Sequence, residues 1–504
     1  MRLGRPVLAL GLIAAMFAST ASSPASTPQP FHASTPFVRD AAGRVRIFHG
    51  VNAVWKMPPY YPPSSTYPAP YATAQAKSFF DERDAAFLAE SGLNSVRLGS
   101  LWAGVEPSKG AFDDTYLDRI DDLVRMLGDR GVTVMLDFHQ DMYNERFGGE
   151  GFPEWATRNT IGTITVPPTN CCGFPGNYFT PASLRAWDNL WFNTDGLWDH
   201  YRDSWAHVAE RFAGRPNVIG YELMNEPWPG TQVATCVLPV GCPAFETLFM
   251  QPFYEHVIAG IRRADPNGMI FWDANVITNN GTPNWIGLQR PVADPGHNQG
   301  VAFHHYCLLG GGFTPQIPPS QDPFCSEVQK PLVMQWQRQA AERNGAAMFL
   351  TEFGATDDVA ELDRMAALAD REMVSWHYWH YGEWSDPTTA GSGVQGLFTN
   401  ELDRPASLKQ AKADALIRTY PQAIAGTPLS FSFDATSKVF TLTFTANPSI
   451  GAPTEVFVPV ARHYAGHYSV SVSGPATVTS VADAPLLTLM NTGGGTVTVT
   501  ITKA

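Results

Sequence analysis

Between residues 45 and 420 the chain alternates short apolar runs with amphipathic helical stretches, eight times over. The runs are Val45–Val51, Ser95–Leu98, Val132–Phe138, Val218–Leu223, Met269–Trp272, Val301–His305, Ala347–Thr351 and Val374–Trp379. Between them, stretches such as Tyr116–Arg130, Trp198–Phe212, Phe245–Ala264, Leu332–Arg343 and Asp358–Arg371 carry apolar residues at helical spacing. Short, nearly continuous apolar runs read as strands buried on both faces, which is how parallel sheets are built. Repetition of the strand–helix unit predicts an α/β fold, a closed (β/α)8 TIM barrel. A doubly wound sheet is the rival, but no GxGxxG follows the first strand.

The signature changes near Thr427. From there to Ala504 the pattern alternates in the β manner, as in Val439–Phe444, Glu455–Val460, Tyr468–Val472 and Thr496–Thr502, with no helical stretch. A C-terminal all-β sandwich domain over 427–504 is expected behind a barrel over 37–424. It serves either as a carbohydrate- or membrane-surface-binding module or as a cover for apolar barrel surface. At the other end, a basic start (Arg2, Arg5), a short apolar core from Pro6 to Ala18 and small residues from Ser19 to Ser26 form a secretory signal. Residues 1–28 are thus read as signal and leader, with the Ser/Thr/Pro/Ala-rich stretch 22–36 disordered and the mature protein secreted after cleavage. Six cysteines fit export: Cys236/Cys242 and Cys307/Cys325 are plausible bridges, and the adjacent Cys171 and Cys172 form a vicinal bridge, pair elsewhere or stay free.

A formal charge of −13 disfavours nucleic acid and anionic lipid as general partners and says nothing against a neutral glycan. No GxSxG elbow and no phosphate-cradling loop is present. What stands out are two acids at strand ends. Glu226 follows Val218–Asn225, and Glu352 closes Ala347–Thr351. Carboxylates there lie on the rim where a (β/α)8 barrel performs chemistry. Two of them across a groove can cut a glycosidic bond, one protonating the leaving oxygen while the other attacks the anomeric carbon.

Other polar residues sit at strand ends. Arg97 lies within a buried-looking strand, where pairing with Glu352 would keep that nucleophile ionised. Asn225 can hold a sugar 2-hydroxyl. His139 and Asp141 end the third strand and alternate with Phe138, so both can face the cleft. A His-x-Asp metal site is the alternative, but no partner ligand set is spaced for it. His304 and Tyr306 share one face at the end of the sixth strand, where a Tyr hydroxyl can position Glu352. Trp379 ends the eighth strand and offers a stacking floor for a sugar.

Arg97, His139, Asn225-Glu226, His304-x-Tyr306, Glu352 and Trp379, with Trp102–Pro107 and Tyr116–Ile120, resemble glycoside hydrolase family 5, whose retaining barrels carry acids on strands four and seven. Val134–Tyr143, Arg185–Trp191 and Ala452–Phe457 are similar to its endoglycoceramidase branch, which joins a barrel to a C-terminal sandwich. The resemblance implies that Lys56, Asp141 and Trp191 contact the first sugar. It implies hydrolysis between oligosaccharide and ceramide of glycosphingolipids, with Glu352 as nucleophile, Glu226 as acid/base and no cofactor or metal. The expected partners are the glycolipid substrate and, transiently, a membrane or micelle surface, with no nucleic acid and a monomeric protein. Pro58–Pro63, Tyr67–Tyr71 and Leu308–Phe313 are aromatic or apolar loops on the catalytic rim that can receive an acyl chain. Rival readings are a secreted endo-β-glucanase or mannanase, a non-catalytic glycan- or lipid-binding protein, and a metal-dependent hydrolase.

Overall fold

The computed structural model describes residues 1, 30–63, 80–161, 164–168, 170–307, 318–384, 386, 388 and 393–504. The secretory signal, Tyr67–Tyr71 and Leu308–Phe313 lie essentially outside the described residues. Eight parallel strands close a barrel: β1 (His49–Ala53), β2 (Ser95–Gly99), β3 (Thr133–Asp137), β4 (Val218–Glu222), β5 (Met269–Asp273), β6 (Gln299–His305), β7 (Ala347–Gly354) and β8 (Ser375–Trp379). Each pairs with its neighbour in sequence, and β8 pairs with β1 to complete the ring. Every residue of β1 to β6 is buried, which explains why these strands read as continuous apolar runs.

The strands separate two cores. Outward side chains such as Val96, Val134, Ile270, Val301 and Leu350 pack beneath the helical shell. Helix Asp114–Gly128, for example, buries Leu117, Ile120, Val124 and Leu127 and is capped by Asp113, which accepts from the Tyr116 N–H. Inward side chains Phe48, Met135, Ile219, Met269, Phe271, Ala302 and Phe349 fill the lower barrel. Gly300 makes room there, since a Cβ would come within 2.2 Å of the Phe271 ring. The lower barrel is therefore solid, and only the rim at the strand C-termini is left for chemistry.

The N-terminal stretch differs from expectation. Residues Phe31–Ser34, read as part of the disordered leader, pair antiparallel with Phe37–Asp40, and the latter joins a sandwich sheet rather than the barrel sheet. Phe31 and Val38 join the apolar fill of the lower barrel, and the Met348 N–H donates to Pro36 O at 2.9 Å. Composition hides this hairpin because its partners are hundreds of residues away.

The sandwich also reaches further than the alternation at 427 indicates. One sheet takes strands 31–34, 37–40, 45–46, 420–424, 454–457, 486–491 and 476–478, and the other takes 426–433, 440–446, 495–503 and 468–473. The expected first strand Val45–Val51 is thus two elements, Val45–Arg46 in the sandwich and β1 in the barrel. Phe431, Phe440, Leu442, Val456, Leu487, Val497, Val499 and Ile501 form its core. Tyr420 fastens it to the barrel, stacking on His49 at 3.6 Å and donating its hydroxyl to Gly92 O. Three cysteine pairs stand at disulfide distance: Cys171/Cys172, Cys236/Cys242 and Cys307/Cys325.

Candidate active site

Arg97, on β2 and fully buried, organises the rim. Its Nε and Nη2 donate to the two oxygens of Glu222 at 2.6 and 3.0 Å. Nη2 also donates to Asn225 Oδ1 at 2.8 Å and lies 3.1 Å from Asp137, and Nη1 donates to Asn52 Oδ1 and to Glu352 Oε1 at 2.5 Å. Burying a guanidinium is costly unless its donors are matched, and five partners on or just after β1, β3, β4 and β7 match them here.

Glu352 is held from both sides: Arg97 grips Oε1, and the Tyr306 hydroxyl donates to Oε2 at 2.9 Å. Glu226 is held differently. Its backbone lies in the left-handed region (φ 41°), uncommon for a residue with a side chain. Gln140 Nε2 fixes that turn by donating to the carbonyls of Asn225 and Glu226, while the Glu226 N–H donates to Asp273 Oδ2 at 2.8 Å. Its carboxyl Oε1 receives Asn279 Nδ2 at 2.8 Å and has His304 Nδ1 at 2.8 Å. The same His304 nitrogen is 3.5 Å from Glu352 Oε2, so one imidazole spans the two acids. An oxygen of Glu226 and one of Glu352 lie within 4.8 Å of each other. That closeness matches attack by one carboxylate while the other protonates, for which about 5–5.5 Å is typical; an intervening water would require roughly 6.5–9.5 Å.

Electrostatics set Glu226 apart from an ordinary carboxylate. Burial, reinforced by the negative charge of Asp141, pushes Glu226 up to about 7, so it carries a proton near neutrality. Burial lowers His304 to about 4, leaving it neutral between the acids. Glu222 also rises to about 7, because burial and Asp137 outweigh the pull of Arg97.

A second polar cluster adjoins the acids. Lys56 donates to Asp141 Oδ2 and to Thr388 Oγ1, lies within 3.5 Å of Asp386 and Glu150, and sits 4.7 Å above the Trp379 ring. Burial lowers its pKa, but the three carboxylates outweigh that and hold it well above the usual range. An ammonium thus stands among the acids where a His-x-Asp metal site would have to form. His139 stacks on Trp379 at 5.2 Å and directs Nδ1 to Asp137 at 2.8 Å. Although burial opposes it, the charge of Asp137 raises His139 to about 9. The Trp379 indole N–H donates to Gln395 Oε1, so its ring plane is fixed. A flat aromatic face flanked by fixed charges is what orienting a sugar ring requires.

Of the residues singled out in the sequence, Arg97, Asn225, Glu226, His304, Tyr306 and Glu352 form one bonded group, and Lys56, His139, Asp141 and Trp379 form the adjoining one. Trp191 belongs to neither. It is buried in helix Pro181–Trp191 against Trp187, Phe245 and Phe253, with its indole N–H donated to Trp228 O. Tyr178 stands on the cleft instead, its hydroxyl 3.4 Å from Asp141 and its ring against Trp228. The sequence reading also passed over Glu222, Asp137, Asn52, Asp273, Asn279 and Gln140. The first four are polar residues inside buried strands, the same signal that marks Arg97. Asn279, in the 3-10 helix Val276–Asn280, and Gln140, just past β3, carry no such mark. The Pro58–Pro63 loop folds back: Tyr60 and Tyr61 are half-buried, and Tyr116 donates its hydroxyl to Tyr60 O.

The family "Cellulase (glycosyl hydrolase family 5)" matches residues 69–385, and the "Glycoside hydrolase family 5 C-terminal domain" matches 418–502. Endoglycoceramidase I of Rhodococcus hoagii (strain 103S) is 34% identical over 491 residues, covering 95% of this chain and 89% of that protein. Among solved structures, the ganglioside GM3 complex of endo-glycoceramidase II from Rhodococcus sp. superposes with a TM-score of 0.74 at 28% identity, covering 93% of this chain and 100% of that one. The lactosyl-enzyme intermediate of the same protein gives 0.72 at 28% identity over the same shares. With its barrel, its sandwich and its acids on β4 and β7, this chain belongs to glycoside hydrolase family 5, in the endoglycoceramidase branch.

Proposed function

We propose that this protein hydrolyses the β-glycosidic bond between the oligosaccharide and the ceramide of glycosphingolipids, with retention of anomeric configuration. The observation that carries the reading is the pair of acids within 4.8 Å, one raised to about 7 and the other gripped by Arg97 and Tyr306. Glu226 donates its proton to the ceramide oxygen as Glu352 attacks the anomeric carbon, and ceramide leaves. Glu226, now a carboxylate, takes a proton from water, which displaces Glu352 and frees the sugar. Tyr306 releases Glu352 at attack and receives it again at the end. Asn225 has its amide oxygen engaged by Arg97 and one N–H on Gln140 O, leaving the other N–H for the sugar 2-hydroxyl. Lys56, Asp141, Tyr178 and Trp379 bind the first sugar.

The endoglycoceramidase relatives favour ceramide as the leaving group over the endo-β-glucanase or mannanase alternatives on the same barrel. We further propose that the chain is exported with its signal cleaved, is monomeric, closes all three cysteine pairs as disulfides and meets its substrate at a membrane or micelle surface. Incubation with lactosylceramide and with a soluble β-glucan, read by mass spectrometry, tests the central assignment. Free ceramide plus intact lactose is expected; glucan fragments with untouched glycolipid would transfer the function to polysaccharide breakdown.

A further inference from the structure

Two neighbouring loops on the catalytic rim carry exposed apolar side chains and no charge. Residues 227–245 follow the β4 acid, and residues 170–184 belong to the connection after β3; neither contains Asp, Glu, Lys, Arg or His. In the first loop Val237, Leu238 and Val240 are 59%, 60% and 47% exposed. In the second, Phe179 is 55% exposed and meets Trp228 edge-on at 4.9 Å, two residues beyond Glu226. Phe179 thus lies against the start of the loop that leaves the acid/base, and the Val237–Val240 tip lies further along that loop, beyond the exposed Thr231 and Thr235.

The first loop is built so that its side chains cannot fold back. Cys236 and Cys242 stand at bonding distance at its base, and Cys242 is fully buried. Val237 and Gly241 pair across it by two backbone hydrogen bonds, and the Trp285 indole donates to Val240 O at 2.7 Å. A loop tied at four points presents its aliphatic side chains to solvent without ordering cost when they enter an apolar phase.

We propose that this rim, with the Val237–Val240 tip as its anchor, inserts into the surface of a lipid bilayer and sets the catalytic groove against the membrane. The inference rests on the glycolipid reading of the active site. Its occupant is a lipid surface because the loop that carries the patch leaves directly from the acid that protonates the lipid leaving group. Attraction to anionic headgroups is not the driving force: the loops are uncharged and the chain carries −13. Insertion is driven by apolar burial and is accordingly insensitive to salt.

The experiment compares the whole protein with Leu238→Asp and Val237→Asp/Leu238→Asp, since neither residue touches the catalytic groups. Three quantities are measured: sedimentation with phosphatidylcholine vesicles with and without lactosylceramide, at low and high salt; hydrolysis of lactosylceramide in vesicles and in detergent; and hydrolysis of a water-soluble aryl β-lactoside. We expect vesicle binding and hydrolysis of vesicle-borne lipid to fall about tenfold or more in Leu238→Asp, the order expected for removing one aliphatic side chain from an apolar phase. The aryl lactoside rate and thermal midpoint should be unchanged, and wild-type binding should be equal at both salts. Equal vesicle binding by variant and wild type overturns the inference, as does a salt-sensitive wild type or a dimer that Leu238→Asp dissociates. If the wild type binds vesicles yet leaves lactosylceramide intact even in detergent, the glycolipid assignment fails while docking stands.

Discussion

The position of Glu226 fixes the pH dependence of the reaction. Burial and the neighbouring Asp141 charge hold its carboxyl at about 7 in the free enzyme. Since kcat/KM reports ionisations of the free enzyme, it should fall above neutrality as the acid loses its proton. The protonated fraction is about 0.9 at pH 6 and about 0.01 at pH 9 for such a group, so kcat/KM on lactosylceramide should drop roughly 100-fold across that range. Replacing Glu226 by Gln keeps the shape but removes the titration. The variant should lose about 10²- to 10⁴-fold on the natural substrate. An aryl lactoside with a good leaving group needs little protonation, so its glycosylation step should be largely spared. Asp141→Asn removes the second cause of the shift and should move the wild-type limb to lower pH. A wild-type kcat/KM flat to pH 9, or a Glu226→Gln variant that keeps the wild-type rate on lactosylceramide, would refute the assignment of Glu226 as the acid.

Tyr306→Phe removes a hydrogen bond to the charged nucleophile, and about 1.5–3 kcal/mol for such a bond predicts a kcat lower by roughly 10- to 100-fold at an unchanged thermal midpoint. Lys56→Met strips the counter-charge from Asp141, Glu150 and Asp386, so unfolding experiments should show about 3–5 kcal/mol of lost stability alongside a raised KM. Trp191→Ala should cost about 3–5 kcal/mol of stability while the folded enzyme keeps its KM, whereas Tyr178→Phe should raise KM at near wild-type stability.

The barrel was legible because each strand is buried on both faces and therefore reads as a compact apolar run, with charged residues in or just after it standing out. That contrast brought Arg97, Glu226 and Glu352 into view, and it marks Glu222 and Asp137 equally once one asks what neutralises a buried arginine. Asn279 and Tyr178 reach the site from short 3-10 helices, Val276–Asn280 and Asn177–Phe179, whose placement depends on long-range packing that no local periodicity encodes. Trp191 stands apart from the other candidates: with Trp187 one turn earlier it shares the buried helix face carrying Ala182, Ala186 and Leu190, a core signature that is itself legible in the sequence. The hairpin at 31–40 was hidden for a different reason: its strands are four residues each and half polar, and their partners in the sandwich and the lower barrel are distant in sequence.

The central claim is that Glu352 forms a covalent bond to the sugar. A 2-deoxy-2-fluoro-β-lactoside with a good leaving group slows both steps but release more, so the glycosyl-enzyme accumulates. After proteolysis and mass spectrometry, the account predicts a single fluorolactosyl adduct on Glu352, absent from Glu352→Ala. An adduct on another residue, or inactivation of Glu352→Ala at the wild-type rate, would contradict it.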